Sequence, residues 1–204
     1  MTGQLGYKVK PLEGEDRAAF HCGDQAIDKY FHERASRDMR EKLAAVFILV
    51  PKEDPKTIVG FFTLSGQQTT CADLPEELRK KTGRYKVVGV TLLGRMGVAK
   101  EFQGQKHGRR VLFAALHEAW KATKHVMSFA VVVDAKSEDL VPFYEKYGFH
   151  RLDGTRLILP MKTVDQTIFR MTSSSKAEAA TSAAEEAATA EGATAAAPLA
   201  EEND

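Results

Sequence analysis

Cysteine is scarce in this chain: two in 204 residues, Cys22 and Cys71, at no metal-ligand or redox spacing. A disulfide-built fold and a zinc ribbon are therefore excluded, and a reducing compartment is the natural setting. The six histidines (His21, His32, His107, His117, His125 and His150) include no His-x-x-x-His pair and no Cys/His cluster, so no metal is expected. Long apolar runs are missing as well. The uncharged run Ala44 to Val50, preceded by Leu43, falls far short of the roughly 20 residues that cross a bilayer. The N-terminus has no basic stretch leading into an apolar one, so no signal peptide is read. A soluble, cytoplasmic protein with no membrane contact is the expectation.

Net charge is low only in sum. There are 29 Lys and Arg against 28 Asp and Glu, a formal +1. From Thr172 to Asp204, however, one base (Lys176) faces seven acids, so residues 1–171 carry +7 and the remainder −6. Thirteen of those last 33 residues are Ala, and Leu199 is their one large aliphatic. Such a segment cannot bury enough apolar surface to offset its ordering entropy. A single domain over 1–171 and a disordered acidic tail over 172–204 follow as expectations. A weak competition of the tail with a polyanion for the basic body follows too.

Within the body, Tyr7 to Leu12 is a short candidate strand. Asp24 can cap a helix from Gln25 to about Arg40, with Ile27, Tyr30 and Phe31 on one face. Ala44 to Val50 and Ile58 to Leu64 read as strands, Pro75 as the start of a short polar helix, and Val87 to Val98 as a long strand. Gly89, Gly94 and Gly97 inside that strand suggest a bulge or a close backbone approach. An amphipathic helix from Gly108 to about Lys124 carries the stripe Leu112, Ala115, Leu116 and Ala119, with Trp120 packed in the core or half-buried. Met127 to Val133 is apolar enough for a strand buried on both faces. A short helix with Phe143 and Tyr144 ends at Gly148-Phe149, and Leu157 to Met161 is the last strand. The order, β-α-β-β-α-β-α-β-α-β-β, predicts an α/β sandwich around a mixed sheet.

One stretch carries chemical information. Leu93-Gly94-Arg95-Met96-Gly97-Val98 runs into Phe102-Gln103-Gly104-Gln105-Lys106-His107-Gly108-Arg109-Arg110 and then a helix. A strand, a glycine-containing loop and a helix N-terminus together offer free N–H groups and a favourable dipole to an anion. No Gly-Lys-Ser/Thr ends the loop, and it lacks the three spaced glycines of a dinucleotide fingerprint. An ordinary βα turn with a basic first helical turn fits these residues equally well.

About 35 residues later comes Phe143-Tyr144-Glu145-Lys146-Tyr147-Gly148-Phe149. Together the two segments resemble the GNAT acetyltransferase family, whose loop motif Gln/Arg-x-x-Gly-x-Gly/Ala binds the pyrophosphate of acetyl-CoA. Gln103, Gly104, Gln105, Lys106, His107 and Gly108 fill that motif, with Lys106 in place of the first Gly. Residues 7 to about 165 further resemble GNAT toxins of bacterial toxin–antitoxin pairs. Phe20-His21-Cys22-Gly23 with Ile27-Asp28-Lys29-Tyr30, Ile58 to Ser65, and Leu93 to Val98 carry that likeness, with Gly97 where those toxins have Ala.

The resemblance implies a GNAT fold, a mixed and mostly antiparallel sheet flanked by helices. It implies acetyl-CoA as donor, the α-amine of an aminoacyl-tRNA as acceptor, and a small ribbon-helix-helix antitoxin as partner, with homodimers common in the family. It gives Tyr144 the role of acid towards the departing thiolate, a packing aromatic beside Phe143 being the other reading. The backbone around Met96, Gly97 and Val98 would bind pantetheine, and the loop from Gln103 through Arg109 the pyrophosphate. An α-amine has a pKa of roughly 7.7–8.0, so a useful fraction is neutral without a strong base. Arg34, Arg37 and Arg95 are candidate acceptor-side residues, and Arg79, Lys80, Lys81, Arg84 and Lys86 form a further basic run. Solvated faces and a structural ion pair at Arg95 remain open, as do a small-molecule or protein amine acceptor and a non-catalytic acyl-CoA-sensing module.

Overall fold

The computed structural model describes residues 6–168. The chain divides into two compact units, 1–165 and 166–204. Of the second, only 166–168 are described, and they are helical. The expected domain boundary after residue 171 and the acidic tail lie outside the described residues.

In chain order the first unit runs β1 (Tyr7–Pro11), α1 (Gln25–Glu33), α2 (Ala35–Arg40), β2 (Ala45–Pro51), β3 (Gly60–Thr70), α3 (Glu76–Arg79), β4 (Val87–Val98), α4 (His107–Ala122), β5 (Ala130–Asp134), α5 (Val141–Glu145), β6 (His150–Asp153) and β7 (Arg156–Pro160). The seven strands form one sheet in the order β1-β2-β3-β4-β5-β7-β6. Every neighbouring pair is antiparallel except β4 with β5. The expected mixed, mostly antiparallel sheet is therefore observed.

Alternation along β3 sorts the helices onto the two faces. Phe61 points to the α1 side, where its ring stacks on Phe31 at 4.1 Å and meets Phe20 edge-on at 5.5 Å. Its neighbour Gly60 faces α4, whose Val111 presses against it. All four stripe residues expected on α4 are buried, and Trp120 is half-buried with its indole N–H donating to Asp165 Oδ1 at 2.8 Å. Ala130 to Val133 is buried throughout, as a strand covered on both faces must be.

Several boundaries differ from expectation. The helix read as continuous from Gln25 to Arg40 breaks at Arg34 (φ −115°), whose N–H returns to the Tyr30 carbonyl. β3 continues six residues past Leu64, because pairing with Val87 to Leu92 recruits its polar half into the ladder. β5 starts at Ala130, leaving Met127 78% exposed. Among the described residues no helix is long and apolar enough to cross a membrane, and no group of three or more His, Cys, Asp or Glu is placed to hold a metal.

Candidate active site

The site follows from a mismatch between two strands. β4 and β5 pair only at Thr91, Leu92 and Leu93 with Val131, Val132 and Val133. β4 then continues to Val98, held by β3, while β5 ends at Asp134. Beyond Leu93 the edge of β4 therefore has no strand beside it, and a cleft of about 220 Å³ opens there. Leu93 to Val98 line it along the strand, Val133, Asp134, Lys136, Leu140 and Tyr144 from the β5 side, and Cys22, Asp24, Ile27 and Gln103 from the other.

The glycines of β4 shape this wall. Phe62 is opposite Met96 but Leu64 is opposite Leu93, so β4 carries one extra residue at Gly94-Arg95. Such a bulge turns the strand and re-aims its side chains. The Arg95 N–H donates to Thr63 Oγ1 at 2.9 Å, which fixes the bulge. Gly97 lets α1 lie close, since a Cβ there would sit 3.0 Å from Phe61, 3.2 Å from Ile27 and 3.4 Å from Phe20.

α5 supplies Tyr144. Its ring is wedged edge-on between Phe143 (5.1 Å) and Phe149 (5.6 Å), and only 6% of the residue is exposed. Gly148 (φ +88°) ends the helix, so that the Phe149 N–H returns to the Tyr144 carbonyl. Burial pushes the Tyr144 phenol up to about 12, so it stays protonated at every physiological pH.

At the other end of the cleft the loop after β4 feeds α4. Every second loop side chain turns back onto the preceding backbone. Gln103 Nε2 donates to Val98 O at 2.9 Å and Cys22 O at 2.7 Å, Gln105 Nε2 to Glu101 O at 3.0 Å, and His107 Nδ1 to Phe102 O at 3.0 Å. The first N–H groups of α4, at His107, Gly108 and Arg109, have no acceptor within the helix and point outward with its dipole. This arrangement can hold a pyrophosphate. The His107 ring is buried and turned inward, so its offering to an anion is the backbone N–H.

Lys106 precedes α4 in the left-handed region (φ +65°), a conformation that glycine adopts without cost. A Cβ there costs about 1 kcal/mol. Lys106→Gly is therefore expected to raise the melting temperature by roughly 2–4 °C in a domain of this size. Scanning fluorimetry reads it, and an unchanged or lower value would show that the loop is not strained. The acetyl-CoA affinity of the same variant reports what the ammonium contributes.

The structure thus gathers Arg95, Met96, Gly97, Val98, Gln103 and Tyr144 around one cleft, with the loop through Arg109 adjoining it. Arg95 makes no ion pair among the described residues; its guanidinium lies 3.9 Å over the Tyr30 ring. Arg34 and Arg37 sit outside the cleft, exposed at the α1–α2 junction and on α2. Sequence reasoning missed the pairing of Lys136 with Asp24, which crosses the mouth of the cleft. The Lys136 ammonium holds the Asp24 carboxyl below the usual carboxylate range. Cys22 lines the cleft too, but burial, with Asp28 beside it, raises its thiol to about 11, the opposite of the shift that activates a nucleophilic cysteine.

Known proteins share this plan. "Probable toxin TacT" of Sinorhizobium fredii is 24% identical over 174 residues, 80% of this chain and 96% of the relative. A "tRNA-acetylating toxin" of Mycobacterium tuberculosis is 26% identical over 152 residues, covering 74% and 89%. Among solved structures, AtaT complexed with acetyl-methionyl-tRNAfMet superposes with a TM-score of 0.73 at 26% identity, over 79% of this chain and 99% of the other. AtaTR bound with AcCoA gives 0.69 at 26% identity, over 80% and 98%. The acetyltransferase (GNAT) domain family matches residues 18–157, which span the bulged strand, the loop into α4 and the Tyr144 helix. With that family matched over more than half its length, the chain belongs to the GNAT acetyltransferase family.

Proposed function

We propose that the chain is an acetyl-CoA-dependent N-acetyltransferase that acts as a toxin by acetylating the α-amine of aminoacyl-tRNA, which blocks translation. The observation that carries the chemistry is the cleft where β4 leaves β5, with Tyr144 on one wall and the phosphate loop at its end. The acceptor rests on relatives described as a tRNA-acetylating toxin and as complexed with acetyl-methionyl-tRNAfMet. The +7 charge of residues 1–171 suits a polyanionic acceptor.

The residues divide the work as follows. The N–H groups at the start of α4 and the arginines Arg109 and Arg110 take the pyrophosphate. The free edge of β4 around Met96 to Val98 takes the pantetheine amides and polarises the thioester carbonyl. The neutral acceptor amine attacks that carbonyl. As the C–S bond breaks, Tyr144 gives its proton to the sulfur, and the phenolate recovers one from the new ammonium through water. CoA and the acetylated amine leave, and Tyr144 is again neutral. Arg95, with Arg34 and Arg37 further out, guides the acceptor strand. A small ribbon-helix-helix antitoxin and a homodimer complete this reading.

The test is transfer of radiolabelled acetyl from acetyl-CoA to bulk charged tRNA. Label is expected on aminoacyl-tRNA and absent from deacylated tRNA. Affinity for tRNA should fall steeply between 50 and 200 mM salt, as phosphate neutralisation requires. Label on small amines or proteins with none on charged tRNA would sink the assignment of the acceptor.

A further inference from the structure

The phosphate loop is held in place from an unexpected distance. His107, the first residue of α4, is 4% exposed, and its ring is hydrogen-bonded at both nitrogens. Nδ1 lies 3.0 Å from the carbonyl of Phe102, where the loop begins, and must carry the proton because a carbonyl only accepts. Nε2 therefore accepts, from the Tyr7 hydroxyl of β1 at 2.9 Å, a residue 100 positions away. The Tyr7 ring meets the His107 ring edge-on at 5.3 Å, and the Arg110 guanidinium lies 5.0 Å over the Tyr7 ring. Burial keeps His107 below the usual histidine range, consistent with a neutral ring and this tautomer.

We propose that His107 is a positioning residue for the acetyl donor, closing the loop from Phe102 to His107 with one ring nitrogen and anchoring it through Tyr7 to β1 with the other. The proposal rests on the reading of that loop as the pyrophosphate site. Gln105 ties the loop to its own Glu101, and Gln103 ties it to Val98 and to Cys22, 81 residues away beside α1. His107 ties it to the far edge of the sheet. The outward N–H groups of His107, Gly108 and Arg109 begin at this residue, so a tilt of the ring moves them together. Displacements of about an ångström in a positioned group cost up to roughly a hundredfold in rate.

The experiment compares acetyl-CoA with S-acetylpantetheine, a donor without the pyrophosphate, using the full chain and charged tRNA as acceptor. The ratio of kcat/KM for the two donors reads the loop and cancels general losses. His107→Phe keeps a ring but neither hydrogen bond, and should lower the ratio about tenfold. His107→Asn, whose amide N–H can replace Nδ1, should retain most of it. Tyr7→Phe removes a single hydroxyl and should lower the ratio about threefold, which keeps the idea testable if His107→Phe fails to fold. Equal losses with both donors, or a ratio untouched in Tyr7→Phe and His107→Phe, would overturn the positioning role. A wild-type enzyme that does not prefer acetyl-CoA would overturn the loop assignment itself, and the proposal with it.

Discussion

Tyr144→Phe is expected to give a protein that folds and binds acetyl-CoA but transfers acetyl roughly 10²–10⁴ times more slowly. The substitution removes one oxygen from a ring whose edge-on contacts with Phe143 and Phe149 remain. What is lost is the proton for the departing thiolate, at a point where the cleft wall offers no second phenol. Tyr147 is turned away, edge-on to Phe113 at 5.6 Å and to Phe143 at 5.3 Å. Single-turnover kinetics with calorimetry of acetyl-CoA binding separates the two effects. Near-normal turnover would remove Tyr144 from the mechanism.

The pH profile of the wild type belongs to the same prediction. With the phenol pushed up to about 12 by burial, the acid stays loaded, so the rate should rise as the acceptor amine loses its proton and then level off. No alkaline fall from Tyr144 is due below pH 10. The raised value also contributes stability that is fully present below the ordinary phenol value of about 10 and is lost as pH climbs towards 12.

Gly60→Ala is the substitution expected to damage the fold most. A Cβ at this position would lie 2.7 Å from Val111 Cγ2 and 2.8 Å from the carbonyl oxygen of Gly97. The valine can shift, but the carbonyl is part of the β3–β4 ladder and cannot rotate away. Overpacking of this kind costs about 3 kcal/mol, or roughly 6–12 °C in melting temperature here. Because Gly97 lines the cleft, donor binding should weaken along with stability. Gly66→Ala is the control: it lies in the same strand with nothing within 4 Å of the added carbon, and should melt within a degree or two of the wild type. Equal melting temperatures for the two variants would contradict the packing described.

Which features were legible in the sequence follows from how local their causes are. β4 matched its expected bounds because a run of β-formers between polar turns marks both its ends. The glycines within it announced the bulge, and α4 declared its buried face through spacing alone. Tyr144 and the loop were visible as a motif, since motif residues are close in sequence. The polar end of β3 was not, because Gln67 and Gln68 join the sheet only through a partner strand some twenty residues away. The inward turn of His107 depends on Tyr7, and the Asp24–Lys136 pair joins residues 112 apart. Single-residue patterns hold no trace of such pairings. Lys106 is the intermediate case: the motif marked it as a departure, and the structure shows the lysine in the left-handed region that glycine favours.

The short ladder between β4 and β5 has one more consequence. Three residue pairs make the ladder between a four-stranded raft, β1 to β4, and a three-stranded one, β5-β7-β6, with the Phe129 N–H donating to the Gly89 carbonyl just before it. Beyond Leu93 and Val133 that ladder ends while β4 runs on. A donor lying along the free edge of β4 would act as the missing strand and stitch the rafts together. In that sense the cofactor would be a temporary piece of secondary structure, and its departure after each turnover would return the sheet to its open seam.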